Sequence, residues 1–286
     1  MASEKLCMGL ITGGKSGIGK ALAIKMASWP SVHTVLAVSR SIKPEDVAES
    51  SKIVALQADV TTPEGRSKIV AEVERRSKEG GGMQLRFLVH AAGLIDPIKP
   101  ILEVTPEEFN YAMTLNCQSP LFLTTALYKS MEKQGDDGVA GRVLHVSTGA
   151  CHGAPPVGWA CYGITKAAFF QSYKVLEREF RELGSKVVVS SFKPGVVDTE
   201  MQGTIRSSDT SAMPIVQNFK NMKENAFSGD SSKPHPPPKG GLDTPQNVAF
   251  FAEWLLLRTS DLEYGNKDDP KEYDIRNEEL YPKWIE

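Results

Sequence analysis

The chain has 286 residues and a formal net charge of −2, with 41% hydrophobic and 24% charged residues. That is the balance of an ordinary folded protein, long enough to bury a sizeable core. It excludes the basic footprint of a nucleic-acid binder or of a protein drawn to anionic membranes.

A strand is expected at residues 6–12, almost at the start, with no room for a signal peptide before it. Residues 17–28 follow as a helix, and 34–39 and 53–58 as the second and third strands. A charged helix then runs to about residue 78, broken by the glycine run 80–82. Residues 86–90 are a fourth strand with an apolar centre at Phe87-Leu88-Val89. At 105–108 the order Thr-Pro-Glu-Glu opens a helix: Thr caps, Pro suits the first helical position, and acids suit the positive end of the dipole. That helix should reach about residue 131. A fifth strand is expected at 142–147, a long helix at 162–183, and a sixth strand at 186–192.

After Thr199 the regularity fades, and 207–242 is rich in Ser, Pro, Gly and Lys. A lid or an irregular loop is expected there, and Pro234-His235-Pro236-Pro237 also fits a ligand for a proline-binding module. A helix returns at 245–258, and a short last strand is expected at 273–275. Strands alternating with helices predict an α/β fold with a parallel sheet. No apolar run reaches membrane-spanning length, so a cytoplasmic location is the expectation. Cys7, Cys117, Cys151 and Cys161 form no CxxC pair, and the five histidines no HExxH. Scattered reduced thiols and no metal site are expected.

Three patterns carry chemistry. Thr12 to Gly19 reads TGGKSGIG between an apolar strand and a helix. Glycines there let the backbone turn tightly and approach a pyrophosphate, and the helix start offers free N–H groups. Tyr162-Gly163-Ile164-Thr165-Lys166 puts Tyr162 and Lys166 on one helix face, where an ammonium favours the phenolate and lowers the tyrosine pKa. The second strand runs into Ser39-Arg40, where an acidic residue would select NAD(H). Arg40 and Ser39, with Lys15 nearby, suit a 2′-phosphate, so NADP(H) is the expected cofactor.

These pieces, with ADV at 58–60, HAAG at 90–93, Asn116, VST at 146–148 and PGVVDT at 194–199, resemble the short-chain dehydrogenase/reductase family over nearly the whole chain. GWACY at 158–162 and VDTEMQ at 197–202 look most like its sepiapterin reductase and benzil reductase branch. The resemblance implies a single domain over 1–286, a Rossmann-type doubly wound parallel sheet with helices on both faces and a substrate lid at about 200–243.

It also implies roles. Thr12, Gly13, Lys15, Ser16, Gly17, Ile18 and Gly19 surround the cofactor phosphates. Asp59 and Val60 lie at the adenine, and Ala91, Ala92 and Gly93 lie beneath the cofactor. Tyr162 is the general acid/base, Lys166 holds the nicotinamide ribose, and Asn116 supports a water linking Lys166 to solvent. Pro194 and Gly195 turn the chain so that Val197 and Thr199 meet the carboxamide.

Two positions depart from the family. Ala92 replaces an Asn, which removes part of a backbone-bracing network. Gly149 stands thirteen residues before Tyr162, where the family has its catalytic serine. Thr148 takes that role if the following loop carries one extra residue, with Ser147 as the alternative.

The expected reaction is NADPH-dependent reduction of a ketone or diketone on a small, mainly apolar carbonyl compound. A non-catalytic NADP-binding regulatory protein and a sepiapterin-type pterin reductase are the alternatives. Trp159, Met201 and the 205–227 segment, with Met213, Ile215, Phe219, Met222 and Phe227, are expected to line the pocket. Asp274 is read as a surface partner of Arg276 rather than a pterin anchor. A homodimer or homotetramer is expected through helices near 107–131 and 162–183, the second carrying Phe169, Phe170 and Tyr173.

Overall fold

The structure is a computed structural model that describes residues 7–79, 82–132, 141–265 and 272–285. Leu6, Gly80 and Gly81, which entered the expectations above, lie outside the described residues.

Strands β1 (Cys7–Thr12), β2 (Val32–Ser39), β3 (Ile53–Gln57), β4 (Gln84–His90), β5 (Gly141–Val146), β6 (Val187–Lys193) and β7 (Tyr273–Asp274) form one sheet in the order β3-β2-β1-β4-β5-β6-β7. Every pairing is parallel. A parallel sheet covered on both faces needs strands apolar on both sides. β1 meets that demand, with all its residues buried. Helices α1 (Gly17–Ala27) and α8 (Pro245–Leu257) cover one face, where Leu22, Met26, Phe251 and Leu255 are buried. On the other face lie α2 (Pro63–Glu79), α4 (Ser119–Glu132) and α5 (Ala160–Glu182), with Ile69, Leu123, Leu127 and Tyr173 in the core. The strand order reverses between β1 and β4, which opens a crevice at their carboxyl ends.

The helix expected from Thr105 does not run uninterrupted. Thr105 caps α3 (Pro106–Met113), its hydroxyl accepting from Glu108 N at 3.3 Å while its own N–H donates to Glu108 Oε2 at 2.9 Å. A π turn at Thr114–Gln118 then separates α3 from α4. Its wider winding turns Asn116 fully inward, a device common at functional sites.

Segment 200–243 is more regular than its composition suggests. It holds helices α6 (Glu200–Arg206) and α7 (Val216–Glu224). The proline run behind them is anchored to the fold at His235. His235 is buried, its ring stacked 3.4 Å from that of Phe227, and its N–H donates to Asn247 Oδ1 at 3.0 Å. Phe169 and Tyr173 of α5 also point inward. Phe169 stacks on His145 at 4.2 Å, and Phe170 packs against His152, so neither is spare surface for a partner.

Candidate active site

The glycine loop folds as it does because side chains are forbidden there. Gly13 has φ +73°, and a Cβ on it would lie 2.8 Å from Ala92 N. A Cβ on Gly19 would lie 2.2 Å from Gly13 O. The loop is therefore pressed against the chain leaving β4, and Ala92 N donates to Thr12 Oγ1 at 3.2 Å. Ser16 sits at the N-cap of α1 without a side-chain bond to the helix, so the first-turn N–H groups remain available to an anion. Its hydroxyl donates to Glu200 Oε2 at 3.2 Å instead.

A cleft of about 280 Å³ opens at the carboxyl ends of β4, β5 and β6. Ile18, Ala91, Ala92, Gly93, Ser147, Thr148, Tyr162, Lys166, Pro194, Gly195, Val197 and Thr199 line it, all named from sequence. Gly13, Ser16, Gly17 and Gly19 border an adjoining cleft of about 290 Å³. Asn116 stands behind them as a brace. Its Nδ2 donates to Leu94 O and Thr165 Oγ1 at 3.0 Å, and its Oδ1 accepts from Leu94 N at 2.9 Å. The Asn116 side chain thus holds the β4 exit against α5.

The remaining residues expected at the cofactor lie apart, toward the β2–β3 edge. Arg40 is exposed, with Nη1 donating to Tyr111 OH at 2.6 Å. Lys15 Nζ donates to Ser41 O and Oγ at 3.2 Å. Ser39 ends β2. Asp59 Oδ1 accepts from the Thr61 N–H and hydroxyl at 2.9 and 2.7 Å, and Val60 is buried.

In the first cleft, Tyr162 and Lys166 are both nearly buried. The expected lowering of the tyrosine pKa does not occur. Burial pushes the Tyr162 phenol up to about 12, opposed by a hydrogen bond from Thr148. Lys166 Nζ is turned to Val146 O at 2.8 Å, and its own burial brings it down to about 8. An ammonium that is itself penalised by burial and engaged on a carbonyl does little for the phenolate. Thr148 is the hydroxyl facing Tyr162, whereas Ser147 Oγ lies 3.6 Å from Cys151 Sγ.

The rest of the cleft is apolar, contributed by Ile95, Trp159, Met201, Ile205, Phe219 and Met222. Three residues expected there are elsewhere. Met213 is sealed beneath the lining, Ile215 is exposed, and Phe227 is held by His235. Sequence reasoning missed Ile95, Gln202 and Arg276, which also line the cleft. Gln202 sits inside the quoted VDTEMQ and was open to notice; Arg276 has no local signal. Asp274 is paired with Lys193 at 3.2 Å and Arg276 at 3.1 Å, and is not among the lining residues.

The family model described as short chain dehydrogenase matches residues 8–210. A benzil reductase ((S)-benzoin forming) of Bacillus cereus is 29% identical over 219 residues, covering 75% of this chain and 85% of the relative. A sepiapterin reductase of Mus musculus is 31% identical over 209 residues, covering 70% and 77%. The structure of a Burkholderia cenocepacia short chain dehydrogenase in complex with NADP shares the fold, with a TM-score of 0.68 and 17% identity over 94% of this chain and 96% of that one. No helix among the described residues is long and apolar enough to cross a membrane. Matched along most of its length in sequence and in fold, the chain belongs to the short chain dehydrogenase family and is an oxidoreductase.

Proposed function

We propose that this protein reduces a ketone or diketone carbonyl on a small, mainly apolar molecule, with NADPH as the reductant and Tyr162 as the general acid. The observation that carries this reading is the convergence of Thr148, Tyr162 and Lys166 at the end of a cleft whose other walls are apolar.

The residues fit a dinucleotide. The glycine loop and the uncapped start of α1 suit its pyrophosphate, and Lys15 and Arg40 suit a 2′-phosphate. Lys166 suits the ribose, and Val197 and Thr199 the carboxamide. Bound NADPH supplies the hydride. Tyr162 keeps its proton at neutral pH because burial raises its pKa, which suits a donor to the carbonyl oxygen. Thr148 can hydrogen-bond the same oxygen as charge develops on it. Lys166, a buried cation beside the site, adds favourable charge.

Two residues of the cleft wall also hold buried polar atoms without hydrogen-bond partners, Trp159 Nε1 and Gln202 Oε1. A substrate with a second oxygen, as in a 1,2-dicarbonyl, would give the Trp159 N–H the acceptor it lacks. The pterin reading gains no support from Asp274, which is already neutralised by two cations. Helices α6 and α7 act as the lid over this cleft. We further propose that the protein self-associates through α4 and α5, on which Phe122, Ile164 and Val175 are exposed apolar residues.

The test is NADPH oxidation with a panel of aromatic and aliphatic diketones on wild type and Tyr162→Phe. Wild type is expected to turn over diketones. The variant is expected to fold, bind NADPH and lose roughly 10²-fold or more in turnover. Full activity in the variant removes Tyr162 from the chemistry. NADPH binding with no turnover of any carbonyl favours a regulatory protein.

A further inference from the structure

Beside the reacting end, three residues from distant parts of the chain converge. Cys151 and His152 close the turn after β5, and Glu272 immediately precedes β7. One donor atom from each lies within 4.8 Å of the other two. The parallel register brings them together: β7 pairs with β6 at Phe192↔Tyr273, and β6 pairs with β5 at His145↔Ser191. No spacing in sequence could announce the set, because Glu272 is 121 residues from Cys151.

We propose that Cys151, His152 and Glu272 form a binding site for a borderline-soft divalent cation, Zn²⁺ above all, whose occupancy shuts down the neighbouring reduction site. The regulatory half of this proposal rests on the function proposed above; the binding half does not.

The donor set is a thiol, an imidazole and a carboxylate, the three kinds of ligand that Zn²⁺ takes. Three protein ligands leave a fourth position for water. Two of the three donor separations are near what coordination requires, and the third lies within 4.8 Å. Bond lengths of about 2.0–2.3 Å in a tetrahedron put ligand atoms roughly 3.5 Å apart. Cys151 Sγ now lies 4.0 Å from Glu272 Oε2, and His152 Nε2 lies 2.5 Å from the same oxygen. The thiol must approach by about half an ångström and the imidazole retreat by about one. His152 is at the surface, its side chain 36% exposed, so it has room to do so.

Glu272 is the fixed member. Its side chain is 1% exposed, and its other oxygen, Oε1, accepts a hydrogen bond from Ser191 Oγ. Outer partners of this kind hold ligating carboxylates in orientation.

Coupling to the reaction follows from the turn itself. The Cys151 thiol now donates to Thr148 O at 2.9 Å, and the Thr148 hydroxyl accepts from Ala150 N at 3.3 Å. As the metal binds, the thiol releases its proton to solvent and the bond to Thr148 O is lost. The turn that aims the Thr148 hydroxyl at Tyr162 is then released.

The experiment begins with Co²⁺ added to the whole chelator-treated protein, without NADPH or substrate. A thiolate-to-cobalt charge-transfer band with tetrahedral d–d absorption is expected, saturating at one ion per chain. Cys151→Ser should abolish the charge-transfer band, and His152→Ala should weaken binding by on the order of 10-fold or more. No band in wild type, or an unchanged band in Cys151→Ser, overturns the site, leaving the His152–Glu272 pair as a plain structural clip. In the second arm, micromolar Zn²⁺ should inhibit diketone reduction by wild type, EDTA should restore it, and His152→Ala should resist while keeping its zinc-free rate. Co²⁺ binding with zinc-insensitive turnover overturns the regulatory half alone. If no carbonyl compound is reduced, the proposed function fails, and the cobalt titration still decides the site.

Discussion

At the scale of single residues, the central question is which hydroxyl would assist Tyr162 in the proposed reduction. Threonine and serine offer the same donor and acceptor, so chemistry cannot choose between Ser147 and Thr148; direction can. Thr148 faces the phenol while Ser147 is turned to Cys151. Thr148→Ala should therefore cost roughly 10²-fold in kcat, Ser147→Ala much less, and Thr148→Ser should stay active. Steady-state kinetics on the three variants decide it, and a larger loss in Ser147→Ala reverses the assignment. Arg40 is the second residue with a sharp test. Its guanidinium is exposed and donates to the Tyr111 hydroxyl, so it can swing to a phosphate without abandoning a buried partner. Arg40→Asp replaces attraction by repulsion at a 2′-phosphate and should shift the NADPH/NADH affinity ratio on the order of tenfold or more toward NADH. Fluorescence titration of both cofactors reads that ratio directly, and an unchanged value leaves Arg40 a bare surface charge.

At the scale of elements, α7 is the piece that composition concealed. Its buried side chains are Val216 and Phe219, and Phe219 packs 5.5 Å from the Trp159 ring over the cleft. The helix forms because that apolar stripe has somewhere to go, not because its polar sequence favours it strongly. Phe219→Ala should raise KM for bulky aromatic diketones by roughly 10-fold and leave small aliphatic ones less affected. Asp274→Asn, on the β7 edge, should leave kcat/KM for diketones nearly unchanged, since Asp274 meets Lys193 and Arg276 and not the cleft. Comparing both variants on diketones and on sepiapterin separates the readings. A sepiapterin preference that collapses in Asp274→Asn would establish the pterin anchor.

At the scale of the whole molecule, the sheet interior carries a pH dependence. His90 and His145 stand side by side on β4 and β5, fully buried, with ring centroids 5.4 Å apart. Burial brings His90 down to about 3 and holds His145 well below its usual value. Both are neutral in the folded protein, whereas the unfolded chain takes up their protons near pH 6.5. Below that pH the unfolded state binds more protons, so stability present above about 6.5 is lost as the pH falls toward 3. Each histidine contributes a slope of about 1 kcal/mol per pH unit within that window. Tm should fall from pH 7 to pH 5, and His145→Leu, which removes a ring whose two nitrogens have no hydrogen-bond partner, should flatten the decline. Equal slopes in the variant and wild type would acquit His145. In activity, the rate of reduction should hold across neutral pH and drop above about 8, where Lys166 loses its proton.

Local patterns determined a large part of this protein. Apolar runs of strand length separated by helical periods were enough for an α/β sheet, because a parallel sheet demands strands buried on both faces and helices to cover them. The glycine loop and the Tyr162–Lys166 pair were legible because their geometry is local, a tight turn and one helix face. Tertiary structure alone decided what depends on burial and on contacts between remote segments. It set the Tyr162 pKa upward, since desolvation is a property of the finished interior. It turned Phe169 and Tyr173 inward, buried Asn116 through a π turn, and ordered 200–243 around Trp159 and Phe227. It also placed Glu272 beside Cys151 and His152. That last contact is fixed by the β5–β6–β7 register, and register between strands far apart in the chain leaves no mark on either one.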